Sequence, residues 1–340
     1  MSEATADKPW GGASTLNAAS RASARQGGTW WLGAVAGLAW LLAAAVTVAW
    51  PDLHDWESTH QVAIAETAVG AWLLLLGALS PWLPLPGRRL RYWGPWLLAL
   101  GLGFALWQVA TAKFGWLPRP FFAPPQGIVD VFIEDWPRLL ECVWRSLFLW
   151  GTGYFFGVTL GFLLGTAIGW SRLAAYWIQP VLKLIGPVPA NAWIPIVFFV
   201  FPTTFSGSVF LIALASGIPV TILTWSGIAS VGNAYYDVAR TLGASNRFLI
   251  LKVAVPAAMP HVFVGLFMGL YSSFAVLVVA ELLGVKAGLG WYIQWATGWA
   301  AYANVHATLI IMALLCSGLV KLLFLVRDRT LSWQRGVVRW

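Results

Sequence analysis

Charge is scarce in this chain. Only 10% of its 340 residues are Asp, Glu, Lys or Arg, against roughly 25% in an ordinary soluble domain, and that scarcity excludes a soluble fold. Cysteine is almost missing. Cys142 and Cys316 stand far apart, with no CxxC pair and no Cys/His ligand spacing, so neither a disulfide framework nor a zinc site is supported. The four histidines, His54, His60, His261 and His306, are equally dispersed and read as interfacial or packed residues. No His/Asp/Glu cluster and no nucleophile-base set supports a membrane-embedded enzyme. A G-x-x-x-x-G-K-[ST] phosphate loop is absent, which excludes ATP hydrolysis by that route. The period-two alternation of a transmembrane β-barrel is lacking as well. No strong internal repeat is visible, whereas secondary transporters usually betray two related halves.

What is present is apolar length. Hydrophobic residues make up 59% of the chain, with 24 Trp, 34 Gly and 19 Pro, a mixture suited to interfacial aromatic belts and close helix packing. Runs such as "WWLGAVAGLAWLLAAAVTVAW" are continuously apolar over a helical span. The fold class expected is an all-α polytopic helical bundle with about eight transmembrane helices, at roughly 30–50, 62–83, 94–115, 143–170, 177–201, 208–229, 258–283 and 304–326. The polar residues 1–28 followed by a full-length apolar run read as a tail and a span rather than as a cleaved signal.

Charge sets the orientation. The formal charge of +8 is scattered between spans rather than gathered in one domain, which argues for topology and against nucleic acid. With the N-terminus in the cytoplasm, Lys8, Arg21, Arg25, Arg88, Arg89, Arg91, Arg172, Arg240, Arg247, Lys252, Arg327, Arg329, Arg335 and Arg339 fall inside. Asp52, Asp55, Glu57, Asp130, Glu134, Asp135 and Glu141 then fall outside. The positive-inside rule therefore places both termini in the cytoplasm. Four stretches follow: a tail at 1–28, a two-helix extension at 29–91, a six-span transmembrane domain at 92–330, and a tail at 331–340. Within the domain, Pro118, Pro120, Pro124 and Pro125 stop a helix, and "QGIVDVFIEDWPRLL" predicts an amphipathic segment at the outer surface.

The longest polar excursion on the cytoplasmic side is the loop at 230–256. "NAYYDVARTLG" predicts a helix, Gly243 a left-handed stop, and Ser245 the cap of a second helix, giving a helix–turn–helix. Val238, Leu242, Phe248 and Leu249 then supply an apolar contact face, with Asp237, Arg240, Arg247 and Lys252 toward water. An apolar face offered to the cytoplasm asks for a partner.

The spacing of this loop resembles the EAA signature of binding-protein-dependent ABC importer permeases. Asp237, Val238 and Ala239 stand where Glu-Ala-Ala would. Gly243 matches, and after nine more residues come Val253, Val255 and Pro256 in place of Ile, Leu and Pro. "SLFLWGTGYFFGVTLGFLLGTAIGWSR", "LIGPVPANAWIPIVFFVF" and "VVAELLGVKAGLGWYIQWA" are similar to successive segments of the nitrate/sulfonate/taurine/bicarbonate group. The resemblance implies a bacterial inner-membrane permease whose EAA loop is a coupling helix docking on a cytoplasmic ATPase. Asp237, Val238, Ala239, Arg240, Leu242, Gly243 and Pro256 would be its coupling residues. It implies two ATPase subunits that hold ATP and Mg, a second copy of this chain, and an extracytoplasmic binding protein that selects a small anion.

Polar groups inside the spans are the pathway candidates, because burying them in lipid is costly. Glu281 is a gate, a headgroup-level carboxylate, or a partner of Lys286. Asn191, among Pro187, Pro189 and Pro195, and Ser272 and Ser273 line a path or serve as helix-packing groups. The rival is an ion-coupled secondary transporter. It needs intramembrane charge, and the spans hold little beyond Glu66, Lys183, Glu281 and Lys321.

Overall fold

A computed structural model describes residues 30–80 and 88–334. The basic residues Lys8, Arg21, Arg25, Arg335 and Arg339, with the tail at 1–28 and most of that at 331–340, lie outside the described residues. Packing divides the chain into two compact units, 1–130 and 131–340.

The first unit holds α1 (Trp31–Ala49), α2 (Thr59–Leu79) and α3 (Arg88–Gln108), the last running on into a π-helical turn, Val109–Lys113. Gly77 lies against Ala34 and Gly70 against Leu41, so α2 runs antiparallel to α1. The Trp40 indole donates to the Leu97 carbonyl at 3.0 Å and Thr47 meets Gln108, so α3 runs parallel to α1. Polar side chains tie the three helices at one end. The Lys113 ammonium lies 2.8 Å from Asp52 Oδ1 and donates to the Thr47 and Trp50 carbonyls. Thr47 Oγ1 lies 2.7 Å from Glu66 Oε2 and 2.6 Å from Gln108 Oε1. Glu66 is therefore buried among helices, not at an interface. The boundary at 130 differs from the division at 91 expected from motif content. Packing groups α3 with α1.

Helix α4 (Pro125–Glu134) forms where the amphipathic segment was expected and straddles the boundary. The second unit then comprises α5 (Trp136–Trp170), α6 (Arg172–Ile185), a 3-10 turn (Ala190–Trp193), α7 (Ile194–Val200), α8 (Thr204–Ala229), α9 (Asn233–Thr241), α10 (Val255–Gly284), α11 (Leu289–Gly298) and α12 (Tyr302–Thr330). Its centre is α5, α8 and α10. Gly153 sits on Ile212, Gly161 on Gly217 and Gly169 on Ile228, a register that makes α5 and α8 parallel. Gly269 sits on Ser216 and Gly227 on His261, so α10 runs the other way.

Among the described residues, seven helices are long and apolar enough to cross a membrane. The eighth expected span, 177–201, is not one rod. It is α6 and α7, bent by 87° at the break between them, where Pro187 and Pro189 withhold backbone N–H donors. The parallel register of α5 and α8 requires the chain to return across the bilayer between them, so the bent pair makes that crossing.

Candidate functional site

At 230–256 the chain forms the two short helices expected of it. Helix α9 ends in a Schellman arrangement: Ala244 N–H donates to Ala239 O at 3.0 Å and Gly243 N–H to Arg240 O at 2.9 Å. Gly243 has φ +78°, a left-handed conformation that glycine adopts without a Cβ penalty. Ser245 Oγ accepts from Phe248 N–H at 3.4 Å and starts the next turn, Asn246–Phe248. A π-helical turn, Leu249–Ala254, leads into α10, whose first turn contains Pro256.

The exposure pattern separates anchor from offered face. Val238 is 62% and Leu242 83% exposed, and Tyr235, Phe248 and Leu251 are exposed as well. Leu249, expected on the same face, is fully buried and fastens the loop from below. The expectation erred because consecutive residues of a helix point about 100° apart, so with Phe248 exposed its neighbour Leu249 turns inward. Tyr236 packs edge-on against Trp170 at 5.8 Å, and Ala254 and Ala258 pack with Ile228. Burial pushes the Tyr236 phenol above its ordinary pKa, against a smaller lowering by Arg240. Asp237 and Arg240 form a loose exposed pair at 3.8 Å. Ala239 and Pro256 are half-buried.

The pathway candidates do not converge on one point. Asn191 is exposed on the 3-10 turn. Ser272 Oγ donates to the Ala215 carbonyl on α8 at 2.7 Å. Ser273 Oγ accepts from the Trp150 indole at 3.0 Å and donates within its own helix to Leu270 O. Both hydroxyls thus join α10 to its neighbours. Glu281 is fully buried. Its Oε1 accepts from Ser146 Oγ at 2.6 Å and its Oε2 from Gly290 N–H at 2.8 Å. Ser146 Oγ in turn accepts from Leu289 N–H at 2.8 Å. Lys286 is not among the carboxyl's partners.

Sequence reasoning missed the groups around α11. Tyr292 Oη donates to Asp135 Oδ2 at 2.6 Å, Asn304 Nδ2 lies 3.2 Å from the same oxygen, and Arg138 stacks over the Trp295 ring at 4.3 Å. Burial, then the Asp135 hydrogen bond, raises the Tyr292 pKa above its ordinary value. Nothing local marks these partners, since Asp135 and Tyr292 are 157 positions apart.

Comparison with known proteins adds the family. Residues 157–331, just over half of the chain, match the family described as the binding-protein-dependent transport system inner membrane component. The nitrate import permease protein NrtB of Synechococcus elongatus is 29% identical over 272 residues, covering 75% of this chain and 92% of its own. A probable ABC transporter permease protein of Brucella abortus is 30% identical over 251 residues, 72% of this chain and 98% of its own. The putative aliphatic sulfonates transport permease protein SsuC of Escherichia coli is 32% identical over 227 residues, 65% of this chain and 84% of its own. The chain belongs to the binding-protein-dependent transport system inner membrane components, and it is a multi-pass inner-membrane permease subunit of an ABC importer.

Proposed function

We propose that this chain forms the translocation pathway for a small anion of the nitrate, sulfonate or taurine type, handed over by an extracytoplasmic binding protein. In this reading the loop at 230–256 docks on a cytoplasmic ATPase through Val238 and Leu242, with Asp237, Ala239, Arg240, Gly243 and Pro256 setting its shape. One observation carries the reading. Helix α9 is closed by a Schellman turn and anchored through Tyr236, yet it turns Leu242, 83% exposed, away from its own fold. A short rigid helix passes on a rigid-body movement that a flexible loop would absorb. The anion class is supported by what relatives are named for: nitrate, aliphatic sulfonates and taurine. The permease is to be reconstituted with its ATPase and binding protein, and ATP hydrolysis measured with nitrate, taurine and an alkanesulfonate in turn. Stimulation by none of the three, with a cationic or neutral solute effective instead, removes the anion assignment.

The working assembly is two copies of this chain with two ATPase subunits, since one chain carries one coupling loop and two ATP sites need two. The mass of the detergent-solubilised complex is expected to fit two permease chains. A mass fitting one, with no second permease present, overturns the homodimer.

Residues 29–91 are an addition not needed for coupling, but α3 has been fitted to them. Removing residues 1–91 leaves Gln108 and Lys113 without Thr47 and Asp52, stranding polar groups on an apolar helix. The plain deletion is expected to accumulate poorly. The deletion combined with Gln108→Leu and Lys113→Leu is expected to insert and retain solute-stimulated ATP hydrolysis. Inserted protein without stimulation shows that the extension takes part in coupling.

A further inference from the structure

The far end of α10 carries a second device. Helix α10 is 30 residues long, about 45 Å at 1.5 Å per residue. It begins directly after the π-helical turn that closes the coupling loop and carries Glu281 in its last turn. There the Glu281 carboxyl and the Ser146 hydroxyl together take the backbone N–H groups of Gly290 and Leu289, the first residues of α11. These contacts hold the loop 285–288 down over α5. Gly288, at φ +147°, approaches the Glu281 carboxyl so closely that an added Cβ would lie 2.4 Å from Oε1. One turn before Ser146 on α5, and so under the same loop, lies Cys142, 2% exposed. Beside it a cavity of about 600 Å³ is lined in part by Phe148, Phe205, Val285 and Ala287. At the start of α11, Tyr292 is bound to Asp135 and Asn304.

We infer that loop 285–288 is an outer lid, that Glu281 and Ser146 are its latch, and that α10 carries movement of the coupling loop to this latch. The lid hinges where Tyr292 is held, and it opens when the outer end of α10 shifts and Glu281 withdraws from Gly290. Glu281 is then a positioning residue that touches no solute. A carboxyl accepting two hydrogen bonds in a buried site is a two-state contact, because partial separation leaves buried N–H groups without partners. The inference rests on the coupling role proposed for 230–256.

The two cysteines supply the test. In a Cys316→Ser background Cys142 is the only thiol of the full-length permease, and it reports on the lid that covers it. The permease with its ATPase is placed in sealed, outside-out membrane vesicles, with the nucleotide enclosed in the lumen where it is used, and labelled from outside with a membrane-impermeant maleimide. Cys142 is expected to be protected without nucleotide and to label several-fold faster with a non-hydrolysable ATP analogue. Glu281→Ala and the milder Ser146→Ala are each expected to raise its labelling about tenfold or more without nucleotide, the loss expected for a buried hydrogen-bonded clasp. Uptake should fall while ATP hydrolysis continues. Ser146→Ala decides the matter if Glu281→Ala fails to insert. Equal protection of Cys142 in parent and variants, or unlatched lids with normal uptake, overturns the latch. Labelling indifferent to nucleotide overturns transmission along α10. An unaltered Leu242→Asp permease instead removes the coupling role itself, a separate result read by ATPase co-purification.

Discussion

Leu242→Asp is expected to strip the ATPase from the permease, or to leave the two bound but uncoupled, while the permease inserts at its normal level. The residue is 83% exposed at the end of α9 and makes no contact that holds the fold together. Water already reaches the position, so an aspartate there costs the free permease little. In a docked complex the same carboxylate is buried against an apolar groove without a partner, a penalty of several kcal/mol. Gly243→Val separates docking from folding. At φ +78° a left-handed residue other than glycine costs about 1–2 kcal/mol, and a β-branched one more, so the turn itself deforms. Insertion, co-purification of the ATPase and uptake are to be measured on both variants. If Leu242→Asp retains its ATPase and transports at the parental rate, α9 is not the docking helix.

Gly157→Val is expected to abolish the folded permease. A Cβ at Gly157 would lie 2.1 Å from Ser216 Oγ and 2.4 Å from the Ala213 carbonyl oxygen. The second of these is backbone, so no side-chain rotation relieves it. Helices α5 and α8 must part, and they hold the centre of the second unit together. Overpacking of a fitted contact costs about 1–3 kcal/mol even where neighbours can adjust. Close approach at small residues is also what holds helices together in lipid, where burial of apolar surface no longer drives them. Gly151→Ala, on the same helix, is the control. Nothing lies within 4 Å of the added Cβ, and alanine is favoured over glycine in a helix by about 1 kcal/mol. Detergent-solubilised yield and thermal unfolding should separate the two variants sharply. A Gly157→Val permease as stable as Gly151→Ala would show that α5 and α8 are not packed at this register.

Much of this was legible in the chain itself, and the part that was not has a physical reason. Hydropathy found the spans because each apolar helix satisfies its own backbone and needs no partner to declare itself. The helix–turn–helix at 230–256 was legible because a cap, a left-handed glycine and a proline lie within a few residues of one another. Leu249 was misplaced because it was put on one face with Phe248, its immediate neighbour, and consecutive helical residues point about 100° apart. The span at 177–201 read as one rod because its apolar character runs on through the bend at 186–189. Glu281 was singled out by its chemistry, yet one of its hydrogen-bond partners, Ser146, lies 135 positions earlier. Ser272 and Ser273 look alike in sequence. Only packing assigns one to the Ala215 carbonyl and the other to the Trp150 indole.

The Lys113 contact ties the fate of an early helix to a later one. Its ammonium has three protons, and they face the Thr47 and Trp50 carbonyls and the Asp52 carboxylate. Those acceptors sit where α1 ends, at the negative pole of that helix. The polar end of the first helix is thus completed only by a cation that lies more than sixty positions later in the chain.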